Sequence, residues 1–378
     1  MKIGNKIIKN HNPCFIIAEI GTAHMGSADK AFELIDAAKE AGADCAKFQI
    51  VFADEIIHPK TGKVKLPGGD TDLYKSFRSL ERGKDFYKEL KIHAEKSGLV
   101  FLCTPFGIKS ARILKSLNVD AIKIASPELN HFPLLKEVSR YNCPLILSTG
   151  VSKLKDIENA LAVVSNNCNN TAILHCITSY PAPEEEFNLK VISSLAEILG
   201  VPVGISDHSA DPYLVPVISA GLGACIIEKH LTLSNNNKGL DDPYALQEDK
   251  FKEMVKQIRK IEAFKAELIK IDNTNYQQNI IEKLKSQFDT AKVEGIIGTG
   301  IKKLAESEKD NYETTRRSLK AMVKINKGEL ITKNNISILR SEKNLTPGLG
   351  PEFFDIICNK RAKKTIQEGE GISWKHII

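Results

Sequence analysis

Eight short apolar runs, rich in β-branched residues and set at intervals along the chain, constrain its fold more than any other feature. They are Phe15–Ile20, Ala46–Ile50, Val100–Leu102, Ala121–Ile124, Leu145–Ser148, Ala172–Ile177, Val203–Ser206 and Cys225–Glu228. Between them lie segments with apolar residues every three or four positions, such as Ala31, Leu34, Ile35 and Ala38, then Phe86, Leu90 and Ile92, then Leu154, Ile157, Leu161 and Val164; this spacing predicts helices. Strands that are apolar throughout are buried on both faces, and helices between them make the strands parallel. Eight such units predict an α/β fold, a closed (β/α)₈ TIM barrel, in preference to an open sheet.

A barrel places its chemistry at the C-terminal ends of its strands. There the chain sets Glu19 (first strand), Lys47 and Gln49 (second), Thr104 (third), Lys123, Ser126 and Glu128 (fourth), Ser148 (fifth), His175 and Tyr180 (sixth), Ser206, Asp207 and His208 (seventh), and Glu228, Lys229 and His230 (eighth). Any one of these is accounted for as a satisfied polar residue at a rim. Convergence of the whole set on one mouth predicts an active site, because unpaired buried charges cost several kcal/mol each. Two lysines and several hydroxyls suit a small anion carrying phosphate and carboxylate, the alternative being lysines tied to Glu19 or Glu128 in a structural network. His208 and His230, on adjacent strands, have the chemistry to share a divalent metal. His175, inside an apolar strand beside Cys176, reads as a core or supporting histidine.

Strand ends follow one another at about 22 to 30 residues except between the second and third, where the interval is about 50. Residues 52–84, with Pro59, Pro67, Gly68 and Gly69, are therefore an insert expected to border the site. The barrel is assigned to residues 1–270 and a polar linker, with one exposed helix suggested by Ile280, Ile281, Leu284 and Phe288, to 271–314. Residues 315–378, punctuated by Gly328, Gly348, Gly350, Gly369 and Gly371, read as a small β-rich domain. The net charge of +6 is concentrated there: residues 315–378 hold 13 Lys+Arg against 6 Asp+Glu, and the rest of the chain is near neutral. That domain has neither a nucleic-acid reader motif nor an aromatic stacking platform, so no nucleic-acid partner is expected. The eight cysteines include no C-x-x-C pair and predict buried thiols in a reducing, cytoplasmic setting. No apolar stretch approaches the length of a membrane span.

Eight local strings, in order, resemble the N-acetylneuraminate (sialic acid) synthase family, which takes in legionaminic and pseudaminic acid synthases. They are Phe-Ile-Ile-Ala-Glu-Ile-Gly (15–21), Ala-Lys-Phe-Gln (46–49), Cys-Thr-Pro-Phe (103–106), Lys-Ile-Ala-Ser-Pro-Glu (123–128), Leu-Ser-Thr-Gly (147–150), His-Cys with Tyr-Pro-Ala-Pro (175–183), Gly-Ile-Ser-Asp-His-Ser (204–209) and Glu-Lys-His-Leu-Thr (228–232). The C-terminal segment, with Arg-Arg-Ser-Leu (316–319) and Lys-Gly-Glu-Leu-Ile (327–331), resembles the antifreeze-like (SAF, β-clip) domain usually fused to them. The resemblance implies condensation of phosphoenolpyruvate with the open-chain aldehyde of an N-acylated aldose, giving a nine-carbon 2-keto-3-deoxy acid and phosphate. It implies that Lys47, Thr104, Lys123, Ser126, Ser148, Thr178 and Ser206 bind phosphoenolpyruvate, and that Glu19, Gln49, Tyr180, Asp241 and Arg340 address the sugar. Glu19, Lys123, His208 and His230 would be catalytic, with Glu128 a further acid/base candidate. His208 and His230 would hold a divalent metal, Mn²⁺ before Mg²⁺ or Co²⁺. In this family the antifreeze-like domain crosses to the partner barrel of a homodimer, so Arg340 would reach the neighbour's sugar.

The chain departs from the family pattern at four places. Ala23 stands for the Asn of the first motif, Pro67-Gly68-Gly69 for Pro-Gly-Asn, Thr178 for an Asn before the Tyr-Pro, and Ser341 for a Pro after the arginine. The first two are expected to touch the sugar and the third the phosphate. Two other function classes fit parts of the sequence: a class I aldolase with Lys123 as Schiff-base nucleophile, which leaves Lys47 and the histidine pair unassigned, and a non-enzymatic carbohydrate- or ice-binding protein, which the charge of the C-terminal domain disfavours.

Overall fold

The computed structural model describes residues 1–9, 12–66, 69–271 and 276–377. Its centre is a closed barrel of eight parallel strands: β1 (Phe15–Gly21), β2 (Cys45–Ile50), β3 (Val100–Pro105), β4 (Ile122–Ile124), β5 (Leu145–Ser148), β6 (Thr171–Cys176), β7 (Val203–Asp207) and β8 (Ile226–His230). Parallel pairing closes the circle, β8 joining β1 through Ile227↔Ile16 and His230↔Glu19, with one register shift between Glu19 and Gly21 where β1 pairs with β2. Helices α1 (Ala28–Glu40), α2 (Lys84–Lys96), α3 (Ile108–Leu117), α4 (Phe132–Ser139), α5 (Leu154–Ser165), α6 (Val191–Leu199), α7 (Leu214–Gly221) and α8 (Glu248–Ile271) cover the strands. The apolar spacing marks the inner face of α1, where Ala31, Leu34, Ile35 and Ala38 are all buried, whereas Ile92 of α2 is exposed.

Strand periodicity sorts the side chains into two cores. Ile16, Ala18 and Ile20 of β1 point out into the helix layer. Phe15 and Ile17 point in, where Cys45, Leu102, Ala121, Ile146, Ala172, Leu174 and Ile226 fill the lower barrel and Ile3 and Ile8 of the N-terminal ribbon plug its floor. The next inward position is polar on every strand but β6, where it is the Cys176 thiol. Apolar packing below thus supports a polar layer above it, and that layer is the site.

The stretch 271–314 departs from the expected linker. It forms α9 (Tyr276–Gln287) and α10 (Thr290–Ile297), whose Ile280, Leu284, Val293, Ile296 and Ile297 are buried in the main core. The polarity of the segment belongs to the outer faces of these helices, and a narrow apolar stripe suffices to dock them. Residues 298–316 then run as a strap along the barrel mouth. Lys302 donates to Thr149 O at 3.1 Å, and Arg316 pairs with Asp156 at 2.8 Å.

The C-terminal domain is built on the antiparallel pair β9 (Arg317–Ala321) and β10 (Ile336–Arg340), with its own core of Leu319, Ile325, Ile331, Ile338, Ile366 and Ile372. It clamps the insert, which forms a ribbon (Lys63–Leu66 with Gly69–Asp72) and a helix (Leu73–Leu80). Asn344 donates to Thr61 O and Lys63 O, each at 2.6 Å, and Arg340 forms a β-bridge with Ile57. All eight cysteines are unpaired, and all but the half-buried Cys143 are buried. Among the described residues no helix is long and apolar enough to cross a membrane.

Candidate active site

A cavity of about 700 Å³ opens at the C-terminal end of the barrel, roofed by the insert and the C-terminal domain. At its base two lysines stand on the inward positions of β2 and β4, both almost fully buried. Lys47 Nζ lies 2.7 Å from Glu19 Oε2 and 3.5 Å from Glu228 Oε1, while Lys123 Nζ donates to Ser148 Oγ at 2.5 Å and lies 3.7 Å from Glu228. Ser206 donates to the same Glu228 oxygen at 2.9 Å. Burial works against the Lys47 ammonium, but Glu19 and Glu228 outweigh it and hold its pKa above the usual lysine value. For Lys123 burial wins over Glu228 and pulls the pKa down. Burial also opposes the charge on Glu228, yet Lys123 and Lys47 keep it ionised.

Ser126 and the Thr104 and Thr178 hydroxyls line the same wall, and among the described residues the two threonine oxygens have no hydrogen-bond partner. Two ammonium groups, serines and two unspent donors fit an anion with two acidic ends. On the opposite side Gln49 donates to Glu19 Oε1 at 2.6 Å. Gly21, with φ +55°, leaves the space in which they meet Asp241; a Cβ there would sit 3.2 Å from Gln49 Nε2, 3.3 Å from Glu19 Oε1 and 3.5 Å from Asp241 Oδ2. The Asp241 loop is fixed by Asp242, which accepts from Thr232 Oγ1 at 2.7 Å and Gly239 N at 2.6 Å.

His208 and His230 face each other with ring centres 5.6 Å apart. His208 Nδ1 is bonded to Ile177 O at 2.8 Å, which leaves Nε2 toward the cavity, where Tyr180 OH lies 3.2 Å away and its ring stacks on the imidazole. His230 Nδ1 is 3.9 Å from Asp241 Oδ2. Burial lowers both histidine pKa values, so both rings are neutral at pH 7, the form that ligates metal. Among the described residues no cluster of three or more His, Cys, Asp or Glu side chains is arranged around a metal position. Two imidazoles alone would leave most coordination positions of a divalent cation unfilled.

The structure gathers Glu19, Lys47, Gln49, Thr104, Lys123, Ser126, Ser148, Thr178, Tyr180, Ser206, His208, His230, Asp241 and Arg340 around this cavity. Glu128 is not among the residues lining this cavity, and its Oε2 has no hydrogen-bond partner among the described residues. Its Oε1 accepts from Arg317 Nη2 at 2.8 Å and from Arg340 Nη2 at 2.7 Å, fully buried, so the carboxylate anchors two guanidinium groups. Within the single chain Arg340 stacks over Phe106 and lines the mouth of the barrel to which it is joined. Lys229 and Asp207 point outward and pair with each other at 2.6 Å, and His175 bonds Phe187 O at 2.6 Å in the outer core. Of the departures from the family pattern, Thr178 lines the cavity, Ala23 is buried in the core while its neighbour Thr22 faces the site, Gly69 is exposed, and Pro67 and Gly68 lie outside the described residues. Glu228, one of the strand-end residues, lines the cavity although the sequence assigns it no binding or catalytic role. Two-residue periodicity would have found it, since it lies midway between inward Ile226 and inward His230.

A (β/α)₈ barrel with this mouth and a C-terminal β-rich cap defines the class, and comparison with known proteins supplies the family. Residues 34–270 match the NeuB family and residues 316–378 the SAF domain. The chain belongs to the NeuB family, the sialic and nonulosonic acid synthases. It is 37% identical over 381 residues to the spore coat polysaccharide biosynthesis protein SpsE of Bacillus subtilis, spanning 100% of this chain and 97% of that protein. The crystal structure of B. subtilis SpsE superposes with a TM-score of 0.83 at 36% identity, covering 100% of this chain and 99% of that one. N,N'-diacetyllegionaminic acid synthase of Campylobacter jejuni is 35% identical over 92% of this chain and 97% of its own length.

Proposed function

We propose that the protein condenses phosphoenolpyruvate with the aldehyde of an N-acylated aldose, N-acetylmannosamine or a related amino sugar, to give a nonulosonic acid and inorganic phosphate. The observation that carries this reading is the pairing, in one cavity, of a two-lysine, multi-hydroxyl anion site with two neutral imidazoles. C3 of phosphoenolpyruvate forms the new bond to the aldehyde carbon, water adds at C2, and phosphate leaves from the resulting tetrahedral centre. Lys47, Lys123, Ser148 and Ser206, with Thr104, Ser126 and Thr178, hold the donor's acidic groups and offset the charge that develops on the departing phosphate. Glu19, set by Gln49 and Lys47, carries the proton exchanged at the aldehyde oxygen. Gln49, Tyr180, Asp241 and Arg340 orient the sugar. His208 and His230 would hold a divalent cation, Mn²⁺ or alternatively Mg²⁺ or Co²⁺, which supplies Lewis-acid polarisation of the acceptor carbonyl.

The test is phosphate release and product mass with phosphoenolpyruvate and a panel of acceptors under full metal loading: N-acetylmannosamine, its 6-phosphate, 2,4-diacetamido-trideoxy hexoses and arabinose 5-phosphate. A Schiff-base aldolase would instead leave a borohydride-trapped adduct on Lys123, a reading that leaves Lys47 and the histidine pair without a role.

A further inference from the structure

One buried acid reaches this site from outside the barrel and has no part in the chemistry above. Glu308, on the strap, is 1% exposed. Its Oε1 accepts from Val151 N at 2.6 Å and from Thr178 N at 2.7 Å, and its Oε2 from Ala305 N at 3.3 Å. Val151 follows β5 and Thr178 follows β6, so one carboxylate oxygen joins two crossover turns. We infer that Glu308 is a positioning residue for the donor's phosphate, fixing the two turns whose hydroxyls and backbone form that end of the cavity; this rests on the donor reading proposed above.

Three observations support the assignment. Val151 is a β-branched residue at φ 42°, a conformation that persists only where surrounding bonds over-determine it. Its N–H bond to Glu308 is joined by Ser152 Oγ donating to Gly150 O at 2.8 Å and by Lys302 on Thr149 O. Next, the turn is packed to its limit around Gly150. A Cβ there would collide with Thr178 Oγ1 and lie 3.0 Å from Ser126 Oγ and 3.1 Å from Glu308 Oε1, while Gly150 N donates to Ser126 Oγ at 2.9 Å. Ser126 and Thr178 are thus set at a fixed separation by the turn that Glu308 holds, with the Thr178 hydroxyl left unspent. Finally, a carboxylate cannot bind phosphate, and two short charge-assisted bonds commit this one to the backbone. Because the strap runs on to Arg316 and Arg317, docking of the C-terminal domain and the shape of the phosphate end share one mechanical element.

The experiment uses the full-length protein with Glu308→Ala and Glu308→Gln, reading phosphoenolpyruvate affinity by calorimetry, the acceptor KM, and amide exchange at Val151 and Thr178. Loss of two bonds to a charged acceptor predicts that the alanine variant binds phosphoenolpyruvate about tenfold or more weakly and exchanges both amides at least about tenfold faster, with acceptor KM within about twofold. The glutamine variant, whose amide oxygen still accepts both N–H groups, should stay within about threefold of wild type. Unchanged donor affinity and exchange in the alanine variant, or equal losses for donor and acceptor, would overturn the assignment. If wild type binds no phosphoenolpyruvate, the donor reading falls, and amide exchange alone decides whether Glu308 holds the turns. Should the alanine variant not fold, Glu308→Asp, one methylene short of reaching both N–H groups, takes its place, and wild-type behaviour of that variant would sink the proposal.

Discussion

Replacing Glu228 by glutamine removes the negative charge on which Lys47 and Lys123 converge while keeping the side chain's size. At 3.5 and 3.7 Å from the two ammonium groups, and with an effective dielectric of about 20, each attraction is about 4–5 kcal/mol before desolvation is subtracted. Removing one partner from a buried charged group of this kind costs about 3–5 kcal/mol net, because the charges left behind stay buried. For a chain of 378 residues, with an unfolding entropy of about 0.8 kcal/mol/K, that corresponds to a thermal midpoint lowered by roughly 4–6 °C. On the proposed donor reading, phosphoenolpyruvate would return negative charge to the same place. The ligand should therefore raise the variant's midpoint by more than it raises the wild type's, and partly close the gap between them. Differential scanning fluorimetry of both proteins, with and without phosphoenolpyruvate, reads this directly. An unliganded Glu228→Gln variant as stable as wild type, with the same ligand-induced shift, would refute the charge-balance reasoning.

Other consequences are as specific. Arg317→Ala strips Glu128 of one of its two guanidinium partners and should destabilise by about 3 kcal/mol, seen as a lower denaturation midpoint and faster proteolysis within the 298–316 strap. Burial places the Lys123 pKa below the usual lysine value, and above that lowered pKa the side chain is neutral. Donor affinity should accordingly fall as pH rises on the alkaline side, and Lys123→Arg, which stays charged, should flatten that fall; equal slopes in a binding titration would argue against it. Arg340→Ala should weaken acceptor use far more than phosphoenolpyruvate binding. Arg340 lines the mouth of its own barrel within one chain; action there predicts that mixing Arg340→Ala with Lys123→Ala protein restores no activity, whereas recovery after mixing would show that the arginine acts across subunits.

Much of this molecule was legible in its sequence because the barrel is built from local patterns. The eight apolar runs are the eight strands, and the strand-end residues Glu19, Lys47, Lys123, Ser148, His208 and His230 are the floor and walls of the cavity. Legibility ended where side chains meet partners far away in the chain. Glu128 looked available for proton transfer, but its partners Arg317 and Arg340 lie 189 and 212 residues further on. Glu308 sits in a stretch whose composition reads as a solvated linker, and only the docking of α9 and α10 shows that this stretch is structural. Glu228, Lys229 and His230 form one polar string, yet the strand pleat sends the first and third into the cavity and the second to Asp207 beneath the helices.

The central claim, that one mouth joins an anionic three-carbon donor to an aldehyde acceptor, is tested most directly by phosphate release from phosphoenolpyruvate in the metal-loaded protein. The account predicts release that depends on a suitable N-acylated aldose, stoichiometric with a nine-carbon keto acid, and abolished by Lys123→Ala. No release with any member of the acceptor panel, or release at the same rate without an acceptor, would contradict it.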